Sequence, residues 1–112
     1  QAFLPMEQAG KLELPKPPAH CHHNGHIFYI LAPSAEIRTR WLDRLILEAG
    51  VNAVSHYVPL HSAPAGVRFG RAAGNLSVTD DVASRLIRLP LHLRLTLKDL
   101  KRVVDSVEGL AV

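Results

Sequence analysis

The stretch His26-Ile-Phe-Tyr-Ile-Leu31 is short, rich in β-formers and apolar along both alternate faces. Successive side chains of a strand point to opposite sides, so His26/Phe28/Ile30 and Ile27/Tyr29/Leu31 both require cover. Ala32-Pro33-Ser34 stops the strand, because proline has no N–H to give a ladder. A chain of 112 residues can supply that cover from one hydrophobic core and is too short for two. The next segment is suited to provide it. Ser34 is a good N-cap with Glu36 in the first turn, and Ile37, Trp41, Leu42, Leu45, Ile46 and Ala49 recur at helical spacing until Gly50 ends the run.

Further along, Asn52 to Val58 alternates as a second strand, with Val54/His56/Val58 on one face and Ala53/Ser55/Tyr57 on the other, and Pro59 ends it. Leu60 to Asn75 is expected to be a loop, long enough to be functional or disordered. Thr79 is expected to cap a short helix running to about Arg85, and Ile87 to Pro90 to form a third short strand. Thr96-Leu97-Lys98-Asp99 opens a last helix with Leu97, Leu100, Val104 and Val107 as its buried stripe. At the other end, Gln1 to Gln8 has the character of a helix tail closed at Ala9-Gly10. Lys11 to Ala19 carries three prolines and should run extended, with a boundary near Ala19. The order β-α-β-loop-α-β-α defines an α/β class with a small sheet and helices on one face.

Several functions are disfavoured by what the sequence contains. Cys21 is the single cysteine, which removes an internal disulfide framework and suits a reducing cytoplasm. No run approaches the ~18 apolar residues of a membrane span, and no export signal opens the chain. The expectation is a cytoplasmic protein without a membrane partner. The first residue is Gln1 and not methionine, as in a processed chain or a piece of a longer one. A net charge of +3 and a pI near 9.4 suit an anionic partner. A small basic nucleic-acid-binding or protein-interaction module is thus one alternative, but aromatic residues make up only 5% and no stacking platform is evident, so no nucleic acid is expected. His20-Cys21-His22-His23 and His26 hold metal-binding side chains, but adjacent ligands on an extended chain diverge and no second cluster completes a tetrahedron. No metal is expected. GxSxG and GxxxxGK are both absent, which argues against a self-contained hydrolase or nucleotide-binding enzyme.

The stretch with most chemical content is HYVPLHSAPAGVRFGR, His56 to Arg71. Pro59 and Pro64 define turns, so the side chains between them sit on a rigid support. His56, Tyr57 and His61 offer donors and acceptors near neutral pH, while Arg68 and Arg71 can fork onto phosphate or carboxylate oxygens. The competing reading is that Tyr57 and Phe69 pack and the arginines are solvated. On that second strand His56 and Tyr57 are expected to point to opposite faces, so only one would reach a ligand. Tyr57 is then favoured, since His56 shares its face with Val54 and Val58.

At HIFYIL, GVNAVSHYVPLHSAPAGVRFG and VTDDVASRLIRLPLHLRLTLKDLKRVVDSV, the sequence resembles the C-terminal domain of the DegT/DnrJ/EryC1/StrS sugar aminotransferases. Within that family it is most similar to the dTDP-4-amino-4,6-dideoxygalactose transaminases, and the similarity spans about Asn24 to Leu110. The resemblance implies the α+β small domain of type I pyridoxal-phosphate aminotransferases, with a mostly antiparallel three-stranded sheet. Residues 1–24 would be the end of an interdomain helix and a proline-rich linker, and residues 25–112 the small domain, the large cofactor-binding domain being absent. It also implies a homodimer that moves an amino group from glutamate to a nucleotide-linked 4-keto-6-deoxy sugar in the synthesis of cell-surface polysaccharide. Tyr57, His61 and His56 would face the sugar, with Arg68 toward the pyrophosphate and Arg71 in reserve. Pyridoxal phosphate needs a Schiff-base lysine. The lysines are Lys11, Lys16, Lys98 and Lys101, in the proline-rich lead-in and the last helix. No catalytic or cofactor-binding residue is therefore assigned within this chain, and the isolated chain is expected to be inactive. The uncovered face of HIFYIL would meet the absent large domain, and alone it would favour self-association.

Overall fold

The computed structural model describes residues 1–110. The last two residues of the expected 25–112 domain lie outside the described residues. Strand β1, Phe28–Leu31, pairs antiparallel with β2, Leu86–Leu89, in the register Phe28↔Leu89 through Leu31↔Leu86. This register sets Phe28 and Ile30 beside Leu89 and Ile87 on one face, and Tyr29 and Leu31 beside Arg88 and Leu86 on the other. The first of these faces carries the core.

The three-stranded sheet expected from the sequence is corrected to two strands, and Asn52–Val58 contributes a single bridge. Val54 N–H donates to the Arg88 carbonyl at 3.1 Å and the Val54 carbonyl accepts Arg88 N–H at 2.8 Å. The backbone is turned just before this point, where Ala53 N–H bonds the Val51 carbonyl two residues back at 2.8 Å. Val51 and Ala53 are buried, whereas residues 54–58 are exposed and, after the bridge at Val54, residues 55–58 meet no ladder partner before Pro59. Alternation in that segment therefore does not become a strand. The opposite edge is closed in the same way, by a bridge between Glu13 and Leu31 with both bonds at 3.0 Å. Short edges of this kind leave little template for a foreign strand.

Helix α1, Leu4–Gln8, has proline in its first turn and ends where Gly10 takes φ 67°. Helix α2, Ala35–Asp43, starts as expected at Ser34, whose Oγ accepts Ile37 N–H at 3.2 Å. It continues through a π turn, Arg44–Glu48, in which Ala49 N–H reaches the Arg44 carbonyl five residues back at 3.0 Å. The expected loop from Leu60 contains helix α3, Pro64–Phe69, with proline in its first turn. Gly66 approaches the backbone of residue 60 so closely that a Cβ would fall on the Leu60 carbonyl oxygen, so no other residue fits. Helix α4, Ser77–Arg85, begins two residues before Thr79, after Asn75 Oδ1 accepts Ser77 N–H at 2.8 Å.

Helix α5, Leu97–Leu110, opens on a reciprocal cap. Asp99 Oδ2 accepts Thr96 N–H at 3.0 Å, and Thr96 Oγ1 accepts Asp99 N–H at 3.2 Å. Its buried stripe is Val103, Val107 and Leu110, while Leu97 and Leu100 are exposed and Val104 is half-buried. The expected stripe was thus rotated around the helix, because the first turn projects beyond the core. The core joins Ile30 and Ile87 from the sheet to Trp41, Leu45, Val51 and Val107, and it takes in Phe3, Met6 and Leu12 from the lead-in. Each fully buried large aliphatic side chain contributes about 1.5–3 kcal/mol through removal from water.

Candidate functional site: a trough beside the outer sheet face

Three depressions adjoin one another along residues 56–61. The first lies against the outer sheet face and is about 230 Å³, with Tyr29, Arg88, His26 and His56 among its walls. Arg88 and Tyr29 are directly paired across the strands, and Val54 is opposite Arg88 on its other side, so this face of the sheet fixes their placement. The second, about 630 Å³, runs between residues 56–60 and α4 and is walled by Tyr57, Val58, Val78, Val82 and Leu86 together with His56. The third, about 530 Å³, holds His61, Arg71 and Thr79 beside Gly66 and Gly70. His56 and Leu86 are shared by the first two, and Leu60 and Thr79 by the last two, so the three form one trough. Polar side chains are set into both ends, Tyr29 and Arg88 at one and His61 and Arg71 at the other, and the waist between them is apolar.

The turn after Pro59 is held by its own backbone. The Pro59 carbonyl accepts Ser62 N–H at 3.1 Å, Ala63 N–H at 2.9 Å and the Ser62 hydroxyl at 3.2 Å. His61 is anchored to α4, with Nε2 2.9 Å from Asp80 Oδ1 and only 20% of its side chain exposed. Helix α4 is itself pinned through Arg85, which bonds Asp81 at 2.7 Å, Glu13 at 2.8 Å and the Ala32 carbonyl at 3.0 Å. The Arg85 guanidinium holds the Asp81 carboxyl below the usual carboxylate range, and its two acidic partners keep Arg85 protonated. A rigid strut therefore links the lead-in, the sheet and the helix that walls the trough.

His56, Tyr57, His61 and Arg71 all line the trough. Arg68 stands apart, exposed, with its guanidinium 4.8 Å over the Phe69 ring. His56 and Tyr57 are not opposed, as a regular strand would make them. Their ring centroids lie 4.9 Å apart and both side chains line the apolar waist, because residues 55–58 have no ladder to enforce alternation. Tyr57 is 78% exposed. Tyr29 and Arg88 were missed by sequence reasoning, although the period-two faces of HIFYIL and LIRL place them on the outer side. Asp80 was also missed, since nothing local in the sequence signals its pairing with His61. Among the described residues, no three His, Cys, Asp or Glu side chains come together as a metal site, and Cys21 is exposed.

Fold and trough define a small α/β domain that presents an open groove. The profile of the DegT/DnrJ/EryC1/StrS aminotransferase family matches residues 5–108. The chain belongs to that family. It is 31% identical over 87 residues to the dTDP-4-dehydro-2,3,6-trideoxy-D-glucose 4-aminotransferase of Saccharopolyspora spinosa, covering 78% of this chain and 21% of that relative. The aminotransferase TlmJ from Streptoalloteichus hindustanus superimposes with a TM-score of 0.79 at 24% identity, over 97% of this chain and 28% of its own. An NtdA structure from Bacillus subtilis with bound cofactor PMP gives 0.81 at 24% identity, over 98% of this chain and 25% of its own. The chain thus spans about a quarter of the length of the solved structures and a fifth of the curated relative.

The side chains present do not fit a covalently held pyridoxal phosphate. Lys101 is paired with Asp105 at 2.7 Å and Lys16 with Glu7 at 3.3 Å, both about three-quarters exposed, and Lys11 and Lys98 are exposed as well. A Schiff-base lysine is held in a site shielded from water, and all four of these are exposed. Among the described residues, no helix is long and apolar enough to cross a membrane.

Proposed function

We propose that this chain is the small C-terminal domain of a pyridoxal-phosphate-dependent sugar aminotransferase, and that its trough faces a reaction centred in a large domain N-terminal to it. The observation that carries this is the lopsided coverage: nearly the whole chain matches the fold of aminotransferases of which it makes up only 25–28%. On this reading residues 1–24 are the end of the connecting helix and the proline linker, and residues 25–112 the small domain. The enzyme works as a cytoplasmic homodimer, and the chain alone is inactive. Exposed Tyr57, Val58, Leu60 and Val78 form an apolar margin along the trough, and Val67 and Phe69 are exposed on α3, which suits coverage by that large domain.

The amino group comes from glutamate and goes to a nucleotide-linked 4-keto-6-deoxy sugar, in keeping with the dTDP-sugar named for the curated relative. HYVPLHSAPAG favours the branch making dTDP-4-amino-4,6-dideoxygalactose. Tyr57, His56 and His61 orient the sugar, and an arginine meets the pyrophosphate. Arg68 is the first choice for that role and Arg71, which already lines the trough, the second. None of these residues moves a proton at the reacting carbon; they supply orientation and charge complementarity.

The test is made in the longer enzyme that carries this domain, with Tyr57→Phe, Arg68→Ala and Arg71→Ala. Tyr57→Phe and at least one arginine variant should raise KM for the nucleotide sugar about tenfold, the effect of losing about 1.4 kcal/mol of uniform binding, with kcat little changed. Unchanged kinetics in all three would remove the assignment.

A further inference from the structure

A second depression, of about 330 Å³, shares no wall with the trough. It lies on α2 and the start of its π turn, and Lys11, Arg40, Arg44, Ile37, Trp41 and Leu110 line it. We infer that it is a binding site for a small multivalent oxyanion, a phosphate- or carboxylate-bearing molecule, gripped by Arg40 and Arg44.

Arg40 and Arg44 are four residues apart and so lie on one helix face, where two like charges are mutually destabilising unless an anion sits between them. Arg44 is already aimed, since its Nη2 donates to the Gly109 carbonyl at 3.2 Å and its Nε lies 3.6 Å from the exposed Glu48 carboxylate. The Arg40 side chain makes no hydrogen bond or ion pair among the described residues. Its charge acts on Glu36 one turn back, but that carboxylate takes the Ser34 hydroxyl at 2.7 Å. The guanidinium forks are suited to oxyanions, and Lys11 adds positive potential while being engaged within the chain itself. The π turn begins at Arg44, and such widened turns are frequent at functional sites. Nearly buried Trp41 and half-buried Ile37 supply an apolar wall that limits water at one side of the depression.

Trp41 is the only tryptophan of the chain, so its fluorescence reports on this depression. Inorganic pyrophosphate and citrate are titrated separately into the 112-residue protein and into its Arg40→Ala and Arg94→Ala variants, following Trp41 emission and melting temperature. The expected result is a saturable response to at least one anion in emission or in melting temperature, at least tenfold weaker in Arg40→Ala and unchanged in Arg94→Ala. Response to pyrophosphate alone assigns a phosphate ligand, and response to citrate alone a carboxylate. Absence of saturation in both readouts, or equal weakening in both variants, would overturn the inference.

Discussion

One hydroxyl, that of Ser34, makes two bonds at the start of α2, accepting Ile37 N–H and donating to Glu36 Oε2. Removing it leaves a helix-end donor without a partner and loosens the helix that carries Trp41 and Leu45 into the core. Ser34→Ala should therefore cost about 1 kcal/mol. For a domain of this size that is a melting-temperature loss of roughly 4–8 °C. Thermal denaturation of the two proteins checks it, and equal melting temperatures would show the cap to be idle. This residue was legible because an N-cap is a local rule, and so were the left-handed glycines Gly10 and Gly50. The partners of His61 and the outward placement of Arg88 are long-range facts. No spacing within HSAPAG or VTDD announces that Asp80 sits 2.9 Å from His61.

At the scale of elements, two carboxylates hold helices by their charged forms. The Arg85 guanidinium lowers the Asp81 carboxyl, and the Thr96 hydroxyl and backbone N–H lower Asp99 at the head of α5. A carboxyl whose folded-state pKa lies below its unfolded value stabilises the fold above the unfolded value and loses that contribution as pH falls toward the folded one. The melting temperature should accordingly hold steady down to about pH 5 and fall below the ordinary carboxylate range of about 4. In Asp99→Asn it should start lower at neutral pH and fall less steeply. Equal steepness in the variant, followed by circular dichroism across pH 7 to 2.5, would contradict the role given to Asp99. Helix α2 was readable from its period and caps, as was the existence of β1 and β2. The expected second strand was misread because alternation at 52–58 is compatible with any extended chain, and the turn at Ala53 depends on burying Val51 and Ala53. Helix α3 went unread although Pro64 stands in its first turn, since a short helix has too few residues to show a period.

For the whole molecule, the distribution of burial gives the clearest indication of role. The core gathers on one side of the sheet, and the trough with its apolar margin lies open beyond the other. Such a surface suits a domain that completes a site begun elsewhere, and the exposed, surface-paired lysines agree with that division of labour. Incubation of the 112-residue protein with pyridoxal phosphate, borohydride reduction and mapping of modified peptides by mass spectrometry puts this to the test. The expected result is only slow, scattered labelling shared among Lys11, Lys16, Lys98 and Lys101. Stoichiometric reduction onto one lysine, with turnover of glutamate by the same protein, would contradict it.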